Sequence, residues 1–454
     1  MNNTQANRLQ IKQINYASDL ANTLFSPISI QNWAMLLRSA SQHHVDSRFD
    51  VLVANPIVTL VTHGNSTLVN EPNDSYQTND DPFTLIQSVQ RRYLSDLNYQ
   101  GELPFIGGAL GYFAYDLGRQ IETIPNIALQ DLSTPDMAVG IYEWAVVIDH
   151  HQQQAWVVGQ NIEQHWQWLL KQQEPLQTSF ALLENWQSNM SEDQYKNKFA
   201  HVQEYLLSGD CYQINLAQRF SAPYQGSEWQ AYQKLEQVNQ APFSAFIRTE
   251  HGAILSVSPE RFLQVNAGEI ETKPIKGTRP RYSDPIADIA SAQELANSEK
   301  DQAENLMIVD LLRNDVGKVA KPGSVHVPKL FDIESFPAVH HLVSTIKAQL
   351  DDGYDAMDLL RASFPGGSIT GAPKVRAMEI IEELEPHRRS AYCGSIGYIS
   401  RHGRMDTSIT IRTLVVENGM LHVWAGGGLV ADSQADSEYQ ETFDKLSRIL
   451  PVLG

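Results

Sequence analysis

Cysteine is scarce in this chain, and basic residues are outnumbered by acidic ones. Its 454 residues include only two cysteines, Cys211 and Cys393. These are too few for a disulfide framework at this length, which predicts a reducing compartment. The formal net charge of −19 argues against nucleic acid or an anionic membrane as the main partner. An anionic substrate would therefore have to be bound by a local group of cations.

Long apolar runs and common phosphate-binding loops are missing as well. No run of 18 apolar residues occurs, and residues 1–8 contain no apolar segment of the signal-peptide kind. We therefore expect a cytoplasmic protein. Neither a GxxxxGK(S/T) loop nor a GxGxxG loop is present, and neither cysteine lies in the Gly-x-Cys-x-Gly elbow of a glutaminase. Nucleotide binding through these loops is not predicted.

Cations are concentrated in residues 271–281, which read Glu-Thr-Lys-Pro-Ile-Lys-Gly-Thr-Arg-Pro-Arg. Pro274 and Pro280 stiffen this segment, and Gly277 permits a close backbone approach. Fixed cations recognise carboxylates without an ordering cost at each encounter, which favours a site for a small polycarboxylate. Lys276 could act there as a point charge or as a nucleophile. A cationic surface turn is the alternative interpretation.

A hairpin is predicted around the turn Asn266-Ala267-Gly268, which separates two alternating apolar runs. A three-residue turn would pair Val265 with Glu269. Glu260 and Lys276 would then be diagonal neighbours on one face, whereas a two-residue turn reverses that parity. The acid and the lysine could form a catalytic pair or a cross-strand salt bridge.

Two predicted helices each carry a pair of acids three residues apart. Ser298 can cap a helix with Asp301 and Glu304 on one face, and a helix near the C-terminus carries Glu438 and Glu441. Two such pairs favour a hard divalent cation with oxygen ligands, Mg²⁺ in particular. Solvated acidic helix faces are the alternative.

Two glycine-rich segments lie between these helices. Residues 364–376 read Phe-Pro-Gly-Gly-Ser-Ile-Thr-Gly-Ala-Pro-Lys-Val-Arg and lead into a predicted helix whose N-terminus suits an anion. The bare amides of Gly426, Gly427 and Gly428 could hold a carboxylate. His341 is either a polar group in the core or a residue of the site.

Together these motifs resemble the chorismate-utilising enzymes, and among them the synthases of 4-amino-4-deoxychorismate. Where anthranilate synthases typically read Pro-Ile-Ala-Gly-Thr, this chain has Lys276 in the third position. Gln213 stands where isochorismate and salicylate synthases carry a lysine that activates water, which argues against water as the nucleophile. The motifs that carry the resemblance are residues 208–219, 258–262, 274–278, 300–315, 341–344, 364–378, 406–412 and 425–445.

The resemblance also implies a fold. We expect an α/β (α+β) body in which two large antiparallel sheets face each other, with helices outside and the site in the cleft. Residues 1–190 would form a strand-rich region like the N-terminal part of anthranilate synthase component I. Residues 191–454 would form the chorismate-binding catalytic domain, and the N-terminal region would add strands to the same body.

The activity implied is the transfer of an amino group from ammonia to chorismate, giving 4-amino-4-deoxychorismate for 4-aminobenzoate and folate synthesis. Lys276 would attack C2 of the ring, Glu260 would protonate the departing C4 hydroxyl, and His341 would lie in the active site near the metal. Ammonia would be free or supplied by a glutamine amidotransferase subunit, component II. The implied ligands of Mg²⁺ are Asp301, Glu304, Glu438 and Glu441.

The family's substrate contacts and tryptophan pocket also transfer to this sequence. The implied substrate contacts are Gln213, Thr278, Ser368, Gly394, Tyr398, Arg412, Gly426, Gly427, Gly428 and Lys445. The implied tryptophan pocket consists of Ser39, Asp46, Ser47, Arg48, Phe49, Pro242, Phe243 and Ser244. Asp301 is shorter than the glutamate of many relatives, so its metal contact could pass through a water. Asn305 stands where many relatives have histidine.

Two other functions remain open at this point. One is that of anthranilate synthase component I, which would release pyruvate and form an aromatic product. The other is a non-catalytic regulator that binds chorismate or tryptophan. Glu260, Lys276 and both acid pairs argue against the regulator, because binding alone needs no general acid.

Overall fold

Two large sheets organise the chain in the computed structural model. The structure describes residues 8–454 except 42, 43, 45, 177 and 336–338, so most of the N-terminal segment considered above lies outside the described residues. Within them, one sheet has 13 strands and the other has 12. None of the described helices is long and apolar enough to cross a membrane.

The strands have the following bounds: β1 (Gln10–Ile14), β2 (Met35–Arg38), β3 (Phe49–Val53), β4 (Val58–His63), β5 (Ser66–Glu71), β6 (Asp74–Thr78), β7 (Gly108–Phe113), β8 (Met137–Tyr142), β9 (Trp144–Asp149), β10 (Gln154–Gly159), β11 (Ala181–Leu182), β12 (Gln187–Ser188), β13 (Gln213–Gln225), β14 (Phe243–Thr249), β15 (Gly252–Ser258), β16 (Arg261–Asn266), β17 (Glu269–Thr272), β18 (Ile275–Pro280), β19 (His326–Ser335), β20 (Val339–Gln349), β21 (Gly371–Ala372), β22 (Ser395–Ser400), β23 (Met405–Ile409), β24 (Thr413–Glu417) and β25 (Met420–Leu429).

The α-helices have the following bounds: α1 (Leu20–Phe25), α2 (Pro82–Tyr93), α3 (Ile162–Leu170), α4 (Glu192–Ser208), α5 (Glu228–Asn239), α6 (Pro285–Ala296), α7 (Glu299–Gly317), α8 (Ala356–Ser363), α9 (Lys374–Leu384), α10 (Ala435–Lys445) and α11 (Leu450–Leu453). Short 3₁₀ turns occur at Ser26–Ile28, Tyr115–Gln120 and Gly367–Ile369.

Neighbouring strands in both sheets run antiparallel. The first sheet has the order β1-β10-β9-β3-β2-β14-β15-β24-β25-β13-β11, with β12 and β21 also paired to β13. The second has the order β18-β20-β17-β16-β23-β22-β7-β8-β4-β5-β6, with β19 also paired to β20. Strands from both sides of residue 190 therefore lie in each sheet, and the boundary at that residue stays a prediction from sequence.

Successive side chains of a strand lie in two different buried clusters, which shows how the two sheets face each other. Val51 of β3 lies in the same buried cluster as Leu110 of β7, which belongs to the second sheet. The next residue, Leu52, lies instead with Phe25 of α1 and Trp229 of α5. Because successive side chains point to opposite faces of a sheet, one face meets the other sheet and one face meets helices. The predicted fold of two facing antiparallel sheets with outer helices is confirmed.

The predicted hairpin forms, but the register expected from a three-residue turn is wrong. Asn266 pairs with Glu269 and Val265 pairs with Ile270. The turn therefore has two residues, Ala267 and Gly268, both with positive φ (51° and 79°), which suits a tight hairpin. Strand β17 ends at Thr272, and β18 pairs with β20 instead of continuing the hairpin. The prediction that Glu260 and Lys276 are diagonal neighbours across this hairpin therefore does not hold.

Candidate active site

A cavity of about 660 Å³ collects most of the predicted site residues. They come from segments that are far apart in the sequence: β18, β20, β25, α7, α10, the turn after α8, and the connections β15–β16 and β23–β24. The predicted residues that line it are Glu260, Lys276, Thr278, Asp301, Glu304, His341, Ser368, Arg412, Gly426, Gly428, Glu438, Glu441 and Lys445. The sequence prediction therefore identified one cavity, although the site assignments themselves remain predictions.

A local irregularity of β18 directs Lys276 into this cavity. The pairing of β18 with β20 shifts register between Lys276 and Thr278, and the intervening Gly277 has φ of 77°. Such a bulge changes the direction of the neighbouring side chains. A Cβ atom on Gly277 would lie 2.8 Å from the Cγ of Asp301, so the position leaves no room for a side chain beside α7.

Lys276 and Glu260 are close enough to influence each other, and burial shifts both in the directions required of an amine and an acid. Burial raises the pKa of Glu260 to about 7, against the opposing effects of Lys276 and a hydrogen bond from Ser368. Burial also lowers the pKa of Lys276, although Glu304 and Glu260 oppose this shift. The Nζ atom of Lys276 donates to the backbone oxygen of Ser368 at 3.3 Å. Near neutral pH this arrangement favours a protonated carboxyl beside an amine that loses its proton more readily than usual.

The two acid pairs lie where the cavity meets α7 and α10. Burial raises the pKa of Glu304, and the nearby Asp301 and Glu438 raise it further. Burial also raises the pKa of Glu438, whose Oε1 accepts a hydrogen bond from Ser433 at 2.7 Å. Repulsion among carboxylates in one cavity is relieved by a bound cation, and a donor set made only of oxygens suits Mg²⁺. The residues present therefore fit this metal.

The distances among these acids are wider than in a closed metal site. In the described part of the chain, the only group of three or more metal-ligating side chains with all ligand atoms within 4.8 Å is His44, Asp46 and Glu334, outside this cavity. There the Nζ atom of Lys273 already lies 3.1 Å from Asp46 and 2.7 Å from Glu334, so the lysine ammonium takes the place that a metal ion would occupy. Asp301 accepts a hydrogen bond from Arg279 at 3.2 Å.

His341 lies on the cavity wall and is only 6% exposed. Its Nδ1 atom is 2.8 Å from the hydroxyl of Thr278. Burial, reinforced by the positive charge of Arg412, lowers the pKa of His341 to about 3. The imidazole is therefore neutral at physiological pH, and both interpretations of this histidine apply, since it is buried and belongs to the site.

A cation of α10 and glycines of β25 lie next to the second acid pair. Lys445 donates to the backbone oxygen of Gly426 at 2.8 Å and forms an ion pair with Glu441 at 2.6 Å. A Cβ atom on Gly428 would lie 2.1 Å from the side-chain amide nitrogen of Gln213, so a larger residue at this position would have to displace the Gln213 side chain. The three glycines, whose bare amides the sequence offered for a carboxylate, are part of β25 and pair with β13.

Four predicted substrate contacts do not line this cavity: Gln213 and Gly427, which adjoin its wall, and Gly394 and Tyr398, which lie elsewhere. Tyr398 lines a second cavity, where its ring packs edge-on against Phe105, which corrects its assignment as a contact to chorismate. Gly394 packs against the next strand, since a Cβ atom there would lie 2.1 Å from the backbone oxygen of Phe113. Its lack of a side chain is thus explained by strand packing.

Sequence reasoning missed several residues of the cavity wall. Tyr392 and Trp424 line it with nearly parallel rings, 6.1 Å apart and inclined by 6°. Asn215 and Lys300 also line it. The two aromatic residues are 32 positions apart and lie outside the motifs identified in the sequence, so only the folded chain shows that they form one flat apolar wall. Lys300 could have been found from its place next to Asp301.

The second cavity, of about 440 Å³, contains the predicted tryptophan pocket. Its wall includes the guanidinium of Arg261, which forms ion pairs with Asp46 at 2.5 Å and Asp406 at 2.9 Å. Ser47 is buried beside it, and no hydrogen-bond partner is found for its hydroxyl. The other predicted residues all line the cavity: Ser39, Asp46, Arg48, Phe49, Pro242, Phe243 and Ser244.

Comparison with known proteins shows which family the chain resembles. Residues 34–451 match the model of a family described as chorismate binding enzyme. The chain is 58% identical to aminodeoxychorismate synthase component 1 of Escherichia coli (strain K12), over 96% of this chain and 97% of that protein. It is 56% identical to the protein of the same name in Salmonella typhimurium, over 96% of both chains. The crystal structure of anthranilate synthase component I from Streptococcus pneumoniae superimposes with a TM-score of 0.79 at 32% identity, covering 90% of this chain and 95% of that one.

Proposed function

The chain belongs to the family of chorismate binding enzymes, and we propose that it transfers an amino group from ammonia to chorismate, forming 4-amino-4-deoxychorismate. The similarity to aminodeoxychorismate synthase component 1 supports this assignment over most of the chain. The observation that carries it is the approach of Lys276 to Glu260 inside the cavity, with burial shifting the pKa of each towards neutrality. An amine and a protonated carboxyl are the two groups that the reaction needs.

In the first step, the neutral amine of Lys276 attacks C2 of chorismate. The C2–N bond forms, both conjugated double bonds of the ring shift, and the C4–O bond breaks while Glu260 gives its proton to the leaving oxygen, which departs as water. In the second step, ammonia attacks C4. Both double bonds shift back, the C2–N bond breaks, and Lys276 is released as the neutral amine. The new C4 ammonium gives up one proton, which restores the protonated Glu260.

The remaining residues of the cavity orient the substrate. Arg412 and Lys445 supply positive charge for its carboxylates, while Tyr392 and Trp424 provide a flat wall for its ring. Mg²⁺ held by the two acid pairs would neutralise and orient a substrate carboxylate. His341, being neutral, accepts or donates hydrogen bonds here without adding charge.

We assign three further properties to the chain. Ammonia comes from a glutamine amidotransferase partner, component II, because the sequence has no glutaminase elbow and its relatives are named as component 1. The protein acts in the cytoplasm, since Cys211 and Cys393 are free and buried. The second cavity binds tryptophan. Its wall contains the rings of Phe49 and Phe243, over which the guanidinium groups of Arg48 and Arg261 lie. Isothermal titration with tryptophan tests this, and binding unaffected by Phe243→Ala would contradict it.

The proposed function is tested by mass spectrometry of the protein after incubation with chorismate and Mg²⁺ but without ammonia. The expected result is an adduct with the mass of chorismate minus water on the peptide that carries Lys276. Lys276→Ala should abolish it, and Lys276→Arg serves as the control that keeps the positive charge. If no adduct forms and ammonium leads to release of pyruvate, the chain is an anthranilate-forming enzyme instead.

A further inference from the structure

A fully buried arginine lies directly behind the wall of the catalytic cavity. Arg389 is 1% exposed. Its Nε donates to Oε2 of Glu385 at 2.9 Å, and its Nη2 donates to Oε1 at 2.7 Å. Such a pair satisfies the charge of the guanidinium, yet a buried ion pair is weak evidence that its purpose is stability. The other hydrogen bonds that Arg389 donates, to backbone oxygens, indicate a second role for this residue.

Arg389 also holds two backbone segments of the cavity wall. Nη1 donates to the backbone oxygen of Ile369 at 2.9 Å, and Nη2 donates to the backbone oxygen of Asn215 at 2.8 Å. Both residues line the catalytic cavity. The amide of Asn215 in turn donates to the backbone oxygen of Thr370 at 2.9 Å. One guanidinium therefore ties the 3₁₀ turn Gly367–Ile369 to strand β13 from behind.

This turn carries the residue that contacts both reactive groups. Ser368 accepts a hydrogen bond from Lys276 through its backbone oxygen at 3.3 Å. Its side chain also forms a hydrogen bond with Glu260 that lowers the pKa of this acid, in opposition to burial. Ser368 thus lies between the amine and the acid, and Arg389 is bonded to the residue that follows it.

The aromatic environment holds the guanidinium in place. Its carbon lies 4.9 Å from the ring centre of Tyr115 and 5.7 Å from that of Tyr392. Tyr392 itself lines the catalytic cavity. A planar group between two rings, with donors fixed in one plane, has little freedom to move.

We propose that Arg389 is a positioning residue of the reaction: it holds Ser368 between Lys276 and Glu260 through the backbone oxygens of Ile369 and Asn215, and touches no substrate. This inference rests on the proposed function. Lysine is a poor replacement, because a single ammonium offers three donors from one point and cannot serve a bidentate carboxylate and two separate carbonyls.

The test compares Arg389→Lys with a matched control, Arg401→Lys. Arg401 is also a buried arginine that donates to a backbone oxygen, that of Ser95 at 2.7 Å, but it lines a different cavity. The folded fraction of each preparation is measured by circular dichroism and gel filtration, so that kcat is expressed per folded protein. We expect a misplaced turn in Arg389→Lys to lower kcat about 10- to 100-fold with KM changed less than about threefold. Arg401→Lys should keep the wild-type kcat.

Two readouts separate positioning from a loss of folded protein. Since Ser368 lowers the pKa of Glu260, Arg389→Lys and Ser368→Ala should both move the high-pH limb of the kcat profile upwards. The double variant should lose less activity than the product of the two single losses, because both act through one hydroxyl. If Arg389→Lys folds poorly, Glu385→Gln weakens the same anchor and should lower kcat in the same direction.

The inference is overturned if kcat per folded protein in Arg389→Lys equals that of Arg401→Lys. It is equally overturned if the losses from Arg389→Lys and Ser368→Ala multiply, or if neither moves the pH limb. A wild-type protein that forms no adduct and consumes no chorismate with ammonium would contradict the proposed function itself. The two failures are therefore distinguishable.

Discussion

At the scale of single residues, one physical cause prepares both reactive groups. Burial disfavours the charged form of any side chain, so it raises the pKa of an acid and lowers that of an amine. Glu260 and Lys276 share one cavity and are shifted in these opposite directions. Their mutual attraction opposes both shifts, but the direction set by burial prevails.

The first prediction concerns the pH dependence of the rate. Because Glu260 acts as an acid only while protonated, and burial raises its pKa to about 7, kcat should fall as the pH rises through about 7. Glu260→Gln should lower kcat by about 10²- to 10⁴-fold and remove this limb. Steady-state rates with ammonium, measured at a constant concentration of free NH₃, check the prediction. If kcat of Glu260→Gln still falls near pH 7, this pH dependence belongs to another group.

The second prediction concerns stability. The pKa of Glu260 is raised in the folded protein from an ordinary value of 4.5 to about 7, so the folded state holds this proton more tightly than the unfolded state. The resulting stabilisation is fully present below pH 4.5 and is lost as the pH rises to about 7, a change of roughly 3 kcal/mol for this single group.

Glu260→Gln removes this contribution without changing the size of the side chain. Urea unfolding of both proteins at pH 4.5 and pH 8 measures the effect. The free energy of unfolding of the variant, compared with that of the wild type, should be higher at pH 8 than at pH 4.5, because only the wild type loses the contribution of Glu260 as the pH rises. An equal difference at both pH values would show that Glu260 does not carry the shift.

At the scale of elements, local signals predicted helices better than strand registers. The capping box at Ser191 and Gln194 marks the start of α4, and Ser298 caps α7 through the amide of Asp301. These signals involve residues three positions apart, so the sequence contains them completely. The hairpin register depends instead on whether Asn266 belongs to the turn or to the strand. Its pairing with Glu269 decides this, and no local signal does.

The third prediction concerns the strand that faces the proposed metal ligands Glu438 and Glu441. A Cβ atom on Gly427 would lie 2.9 Å from Oε2 of Glu438 and 3.5 Å from Oε1 of Glu441. Gly427→Ala should therefore displace these carboxylates and raise the Mg²⁺ concentration for half-maximal activity by about tenfold. Thermal shifts with increasing Mg²⁺ provide a readout that is independent of activity.

Gly317→Ala is the matched control, since nothing lies within 4 Å of a Cβ atom at that end of α7. It should leave the response to Mg²⁺ unchanged. An unaltered Mg²⁺ dependence in Gly427→Ala would argue against Glu438 and Glu441 as metal ligands.

At the scale of the whole molecule, the sheets bring together what the sequence keeps apart. β2 pairs with β14, and β7 pairs with β22, so strands of the first 190 residues are built into both sheets. A boundary read from polar composition near residue 190 says nothing about such pairings, which depend on long-range contacts. The Tyr392–Trp424 wall and the contacts of Arg389 were unpredictable for the same reason, whereas Lys276 and both acid pairs lie in motifs that are local.

The last prediction concerns the source of nitrogen for the whole protein. The chain has no glutaminase elbow, so the isolated protein should form product from chorismate with ammonium and none with glutamine. Adding a glutamine amidotransferase partner should restore the use of glutamine, and Lys276→Ala should remain inactive with either source. Product formation is followed by mass spectrometry. Glutamine-dependent turnover by the isolated chain would contradict the need for a partner. Turnover by Lys276→Ala with ammonium would instead show that ammonia reaches the ring without the lysine, and the cavity would then act by orientation and by the acid alone.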